Sequence, residues 1–148
     1  MKSKAPKKSK LQKRIEDVSS TYWLSRADDA WSDLIHTVYQ GCAVNKDCSG
    51  PLEAHHIVNR ARRATRHNPW AGILLCSTHH QWSVGLSAHI ASLAFAEWLQ
   101  INRPRQWAWA CEHKFDPNPD KLDYKVAMER LVKLKEDYIS KESLRAKQ

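Results

Sequence analysis

Two adjacent-histidine pairs, His55-His56 and His79-His80, and three closely spaced cysteines, Cys42, Cys48 and Cys76, offer the most chemistry in this chain. Thiolates and imidazoles are the usual ligands of tetrahedral zinc. Cys42 and Cys48 are separated by five residues, and Cys76 and His79 by two. Two short knuckles of this kind make a Cys3His set: Cys42, Cys48, Cys76 and His79. His79 is assigned to it by its two-residue spacing from Cys76. His80 is the competing candidate, because helical neighbours point about 100° apart and one histidine of the pair can face a second site. The alternative for all four is ordinary buried packing. The fourth cysteine, Cys111, lies far away in a Trp-rich segment and reads as core. With no export signal in view, clustered Cys and His read as ligands before they read as disulfides.

His55 and His56 sit in Leu52–Val58, a short strand candidate. Strand neighbours face opposite sides, but a strand end lets both approach one ion. Directly afterwards come Arg60, Arg62, Arg63 and Arg66. Guanidinium forks bind phosphates bidentately, so this run reads as a nucleic-acid contact, with a solvated charged face as the plain alternative.

The elements that must position these groups follow from periodicity. Ala27, Ala30, Trp31, Leu34, Ile35 and Val38 form one helical face, predicting a helix over about 26–39. Ser25 with Asp28 resembles a capping box, and Gly41 is a natural stop. Residues 41–52 are turn-rich and suit a knuckle between two cysteines. A polar, basic loop spans 59–70, and Ile73–Leu75 is a second short strand. A helix is expected to start near Ser77 or Thr78 and to carry His79 and His80. Further helices are expected over 87–101 and 121–140, with an irregular, proline-containing stretch over 103–121. The expected class is α+β, mostly helical, with few and short strands.

Composition bounds the partners. The net charge is +8, but residues 1–14 hold seven basic side chains and no acid, so the rest is nearly neutral. Such a tail suits phosphate binding by counterion release, or serves solubility alone. No apolar run reaches the roughly 18 residues a membrane span needs. The N-terminus lacks the apolar stretch of a secretory signal, so a cytoplasmic protein with no membrane partner is expected. At 148 residues the chain fits one compact domain with tails. Residues 1–20 read as a basic flexible arm, 21–102 as the domain carrying the site, and 103–148 as a linker and a helix packing on it. Trp70 and Trp82 flank the site and could stack on bases, although packing of a thin core is the favoured role.

Residues 42–99 resemble the HNH (His-finger, ββα-metal) endonucleases common in phage genomes. The matching pieces are Cys42-x5-Cys48, Ala54-His55-His56-Ile57, Thr65-Arg66-His67-Asn68-Pro69, Leu75-Cys76-Ser77-Thr78-His79-His80-Gln81-Trp82 and Phe95-Ala96-Glu97-Trp98. Lys121-Leu122-Asp123-Tyr124 and the following helix are similar to the same group. The resemblance implies a small ββα-metal core with a structural zinc, and metal-dependent hydrolysis of DNA phosphodiester bonds, by nicking or double-strand cleavage. It makes His56 the general base, with His55 and His80 holding one Mg2+ or Mn2+, and with Ni2+ tolerated by neutral imidazoles. Arg60, Arg62, Arg63 and Arg66 would clamp DNA. A host-cell cytoplasm and phage replication, recombination or packaging partners would follow. Two positions depart from the pattern. Ala71 stands where the family has an Asn that braces the loop, and Asn68 is the substitute brace. His79 stands where the family has Cys. Ala71 also keeps open a zinc-stapled DNA-binding module with a degenerate nuclease site.

Overall fold

The computed structural model describes residues 7–146. Its elements run α1 (Lys10–Glu16), α2 (Thr21–Tyr39), β1 (Leu52–His56), a turn of 3-10 helix (Pro69–Ala71), β2 (Gly72–Cys76), a π-helical turn (Thr78–Trp82), α3 (Ser92–Asn102), α4 (Pro104–His113) and α5 (Tyr124–Arg145). The class is α+β, with a small two-stranded antiparallel sheet. No helix among the described residues is long and apolar enough to cross a membrane.

The sheet is the hub. β1 and β2 pair in register from Leu52 opposite Cys76 to His56 opposite Gly72. All five residues of β2 are buried, because both faces of the hairpin are covered. On one face Leu74 meets Trp31, Leu34 and Ile35 of α2 and Leu131 of α5. On the other, Ile73 and Leu75 meet Phe95 and Leu99 of α3. The alternation of strand side chains therefore gives β1 two different neighbourhoods: Ala54 and His56 look toward α2, and Glu53, His55 and Ile57 look the other way. Gly72 lets α2 approach. A Cβ there would lie 2.4 Å from Ile35 Cδ1 and 2.7 Å from Trp31 Cζ2.

α2 buries Ala27, Trp31, Leu34 and Ile35, the stripe its periodicity predicts. It begins five residues before the expected start, so Ser25 is interior and makes no cap. Asp28, the supposed capping partner, turns to the 59–68 loop instead. The left-handed residue that ends α2 is Gln40, at φ 56°, one position before Gly41.

Four other expectations change. Residues 10–16, assigned to a flexible arm, form α1, because Ser9 and Gln12 make a full capping box. Residues 1–6 of that arm lie outside the described residues. The stretch assigned as irregular contains α4, since Pro104 occupies the first helical position, where a missing N–H costs nothing. The buried Gln106 of α4 then ties it inward, donating to the carbonyls of Trp70 (3.0 Å) and Gly72 (2.7 Å). The helix expected from residue 87 starts at Ser92 instead. α5 runs from its Asp123 cap to Arg145, past the expected end at 140.

Candidate functional site: two clusters of metal-ligating side chains

Among the described residues, two groups of His and Cys side chains bring their donor atoms within 4.8 Å of one another: Cys42, Cys48, Cys76 and His79, and separately His55, His80 and His89.

The first group is built by turns. Asn45, Asp47 and Gly50 all have positive φ, which folds residues 42–50 back on themselves. Gly50, at φ +79°, also lies against Ser77, where a Cβ would come within 2.8 Å of the serine Cβ. Backbone bonds from Ala43 N to Leu74 O (2.8 Å), Ser77 N to Pro51 O (2.9 Å) and Thr78 N to Ser49 O (3.2 Å) pin this knuckle to the end of β2. His79 Nδ1 then lies 3.6, 3.9 and 3.2 Å from the sulfurs of Cys42, Cys48 and Cys76. A tetrahedral zinc with Zn–S near 2.3 Å and Zn–N near 2.0 Å requires S···N separations of about 3.5 Å. The Cys3His group therefore has the donors and the spacing to bind a metal such as zinc. Burial opposes ionisation of Cys76, but the backbone N–H groups of His79 and Ser49 and the His79 ring outweigh it and draw the thiol down to about 6. The thiolate is the ligating form. His79 is 4% exposed and wholly on this side, so the adjacent pair divides, and His80 goes elsewhere. All four cysteines are free thiols, and Cys111 belongs to neither group.

The second group is open to solvent. His55 and His80 are half-buried and His89 is exposed. The ring centroids lie 5.0 Å (His55–His80), 5.3 Å (His55–His89) and 4.8 Å (His80–His89) apart. His80 Nε2 and His89 Nε2 face each other at 3.2 Å. The other nitrogen of His80, Nδ1, is bonded to the Glu53 carboxylate. A carboxylate only accepts, so Nδ1 carries the proton and Nε2 presents a lone pair. A carboxylate behind a histidine is the arrangement that orients metal-ligating imidazoles. Burial, with the neighbouring His80 and His89 adding to it, draws the pKa of His55 down to about 3, so its ring is neutral at pH 7. His89 reaches the group because Ala88 N and His89 N bond the carbonyls of His79 (2.9 Å) and His80 (3.2 Å).

His56 faces away from this trio. Its ring stacks on Trp31, with centroids 3.7 Å apart and planes 9° apart. The indole is itself fixed, Nε1 donating to Asn68 O at 3.0 Å. His56 Nε2 lies 2.8 Å from Arg66 O. Because a carbonyl only accepts, Nε2 carries the proton, and Nδ1 is the basic nitrogen. Burial is the main influence lowering the His56 pKa, opposed by the Arg66 carbonyl and assisted by the charges of Arg60 and Arg66. The imidazole is neutral, tautomerically defined and held flat against an aromatic plane.

The arginine run splits. Arg66 is locked onto Asp28 through Nε (2.8 Å) and Nη2 (2.6 Å), and its side chain is 14% exposed. It braces the loop whose carbonyl holds His56 and is not free to clamp a phosphate, which corrects its expected role. Burial works against the Asp28 carboxylate, but hydrogen bonds from His67 and Arg66 overcome this and hold its pKa well below the usual range. Arg60 reaches the same carboxylate only at 3.4 Å and stays exposed. Arg62 and Arg63 have no carboxylate partner among the described residues. Asn68 caps the turn before β2, its Oδ1 accepting from Trp70 N at 2.9 Å. Ala71 is fully buried and works through its backbone, its carbonyl accepting from Ile57 N at 2.8 Å. Trp70 and Trp82 are 48% and 67% exposed, so neither packs a core as favoured.

Glu53, Asp28 and His89 escaped the sequence reading. Glu53 had a usable signal: it lies two residues before His55 on one strand, and so on the same face. Asp28 and His89 had none, since their partners are set by tertiary contacts. Scanned against protein-family models, curated proteins and solved structures, the chain matches nothing in any of the three.

Proposed function

We propose that this chain is a metal-dependent endonuclease that hydrolyses DNA phosphodiester bonds on a small ββα-metal core, with a structural zinc in the Cys3His group. The observation that carries this reading is the division of labour across β1. His55 joins two other imidazoles on one face, while the adjacent His56 ring, stacked on Trp31 and bonded to Arg66 O, lies on the other. In this scheme His55, His80 and His89 hold one divalent ion, Mg2+ or Mn2+, with Ni2+ also suited to neutral nitrogen ligands. Bound there, such an ion would neutralise phosphate charge and stabilise the departing 3′ oxygen. His56 Nδ1 takes a proton from water, whose oxygen attacks phosphorus. The P–O3′ bond breaks, the departing 3′ oxygen takes a proton from solvent water, and a 5′ phosphate and a 3′ hydroxyl are left. Arg66 and Trp31 act as positioning residues for that base. The exposed Arg60 and the half-buried Arg62 and Arg63 supply positive charge for the flanking backbone.

Supercoiled plasmid incubated with the full chain across a Mg2+, Mn2+ and Ni2+ series tests the proposal. Relaxed or linear product carrying 5′ phosphates is expected. His56→Ala is expected to lower the rate about 10²–10⁴-fold, the usual range for general acid–base catalysis, with the melting temperature preserved. A His56→Ala protein cutting at the wild-type rate would remove His56 from the mechanism. Ala71 favours a second reading, a zinc-stapled DNA-binding module, because it offers the loop no side-chain brace. A gel shift without cleavage in any metal would select it.

A further inference from the structure

Beside the end of β1 lies a surface cavity of about 450 Å3, lined by Ile57, Val58, Asn59, Arg62, Lys114 and Phe115 among others. Phe115 is 73% exposed. Two cations lie over its ring: Arg62 Cζ at 5.8 Å and Lys114 Nζ at 5.3 Å from the centroid. No carboxylate among the described residues lies within ion-pair distance of Arg62, Arg63 or Lys114. The nearby Asp116 carboxylate already accepts from His113 Nδ1 at 2.8 Å.

The segment carrying Phe115 is tied to the arginine loop. Asn118 Oδ1 accepts from Arg63 N at 2.6 Å, and Asn118 Nδ2 donates to Ala61 O at 3.4 Å. Ile57 packs on the same apolar cluster as Phe95, which lies 5.9 Å from His55. The cavity therefore begins one residue beyond His56, where Ile57 leaves β1 for the arginine loop.

An exposed aromatic ring approached by two cations that have no carboxylate partner fits one ligand chemistry well. A nucleobase stacks on the ring, and the phosphates on either side meet the cations. A base inside a duplex cannot offer its face to such a ring, because its neighbours cover it. We infer that Phe115, approached by Arg62 and Lys114, is a stacking platform for an unpaired base of a DNA strand, so that the preferred substrate of the site is single-stranded or locally opened DNA. This rests on the nuclease reading only for the word substrate; the binding itself does not need cleavage.

The test uses the full chain without added divalent ion or chelator, so that DNA stays intact. A short fluorescein-labelled oligonucleotide is titrated by anisotropy, alone and as a duplex of the same sequence. Wild-type protein is expected to bind the single strand more tightly. Phe115→Ala is expected to weaken single-strand binding roughly tenfold, the loss of one stacking contact, and to leave duplex binding and the melting temperature unchanged. Phe115→Trp keeps an aromatic face and is expected to retain the preference. A Phe115→Ala protein that binds the single strand like the wild type, or weakens equally on both probes, would overturn the platform. The two proposals separate cleanly. A Phe115-dependent single-strand preference in a protein that cuts plasmid in no metal keeps the platform and removes the nuclease. Cleavage by wild type with Phe115→Ala unaffected in binding does the reverse.

Discussion

The two ligand clusters lie a single residue apart in sequence, at His79 and His80, yet they are built on opposite principles. The Cys3His group is closed. All four positions are filled by side chains: Cys42 and the exposed Cys48 come from the 42–50 knuckle, and Cys76 and His79, 1% and 4% exposed, from the end of β2 and the π turn. The His55–His80–His89 group is open, with His89 exposed and no fourth side-chain ligand in the set. Zinc sites that only hold a fold fill every position with protein, whereas sites that do chemistry keep one for water or substrate. Under the proposed function, the first group supplies rigidity and the second the chemistry.

That contrast can be broken from either side. The largest effect is expected at the closed group. With zinc in the Cys3His group as proposed, Cys76→Ser should cost that metal, measured by elemental analysis, and the cooperative thermal transition with it, because structural metal binding is also folding energy. A Cys76→Ser protein melting like the wild type would make the knuckle dispensable. At the open group the effects should invert. His89→Ala should preserve both zinc content and melting temperature, yet weaken calorimetric Mn2+ binding by at least about 100-fold, beyond the range seen for outer-shell partners. Glu53→Gln retains an accepting oxygen but removes the charge behind His80, so a loss nearer tenfold is expected in the same titration.

On the far side of β1 the expected effect is on stability and not on metal binding. Asp28→Asn should destabilise the fold by about 2 kcal/mol at neutral pH in urea melts, since a partly buried carboxylate loses charge-assisted bonds to Arg66 and His67. The sign with pH is set by the lowered Asp28 pKa. Its stabilisation is fully present above the unfolded carboxylate value and fades as pH falls through it toward the folded value. The gap between wild type and Asp28→Asn should therefore narrow below about pH 4. A gap that stays constant down to pH 2 would mean the ion pair contributes nothing.

The local features were determined by sequence alone. The α2 stripe, the hairpin, the turn-rich knuckle and the Cys42, Cys48, Cys76, His79 set all follow from spacings of a few residues, where periodicity and turn chemistry act directly. Even there, boundaries moved. A proline at a helix start reads like a breaker, which hid α4, and a capping box in a basic tail reads like disorder, which hid α1. What tertiary structure decided was the allocation of identical residue types. His79 and His80 went to different clusters because a π-helical turn aims them apart. Arg66 became a brace because Asp28 of α2 lies 2.6–2.8 Å from its guanidinium, whereas Arg60 reaches that carboxylate only at 3.4 Å and Arg62 and Arg63 form no ion pair with it. His89 joined His55, 34 positions away in the chain, because residues 87–91 fold back on the π turn. Spacing sets what neighbours along the chain can do together; partners tens of residues apart are chosen by packing, through contacts that no local pattern encodes.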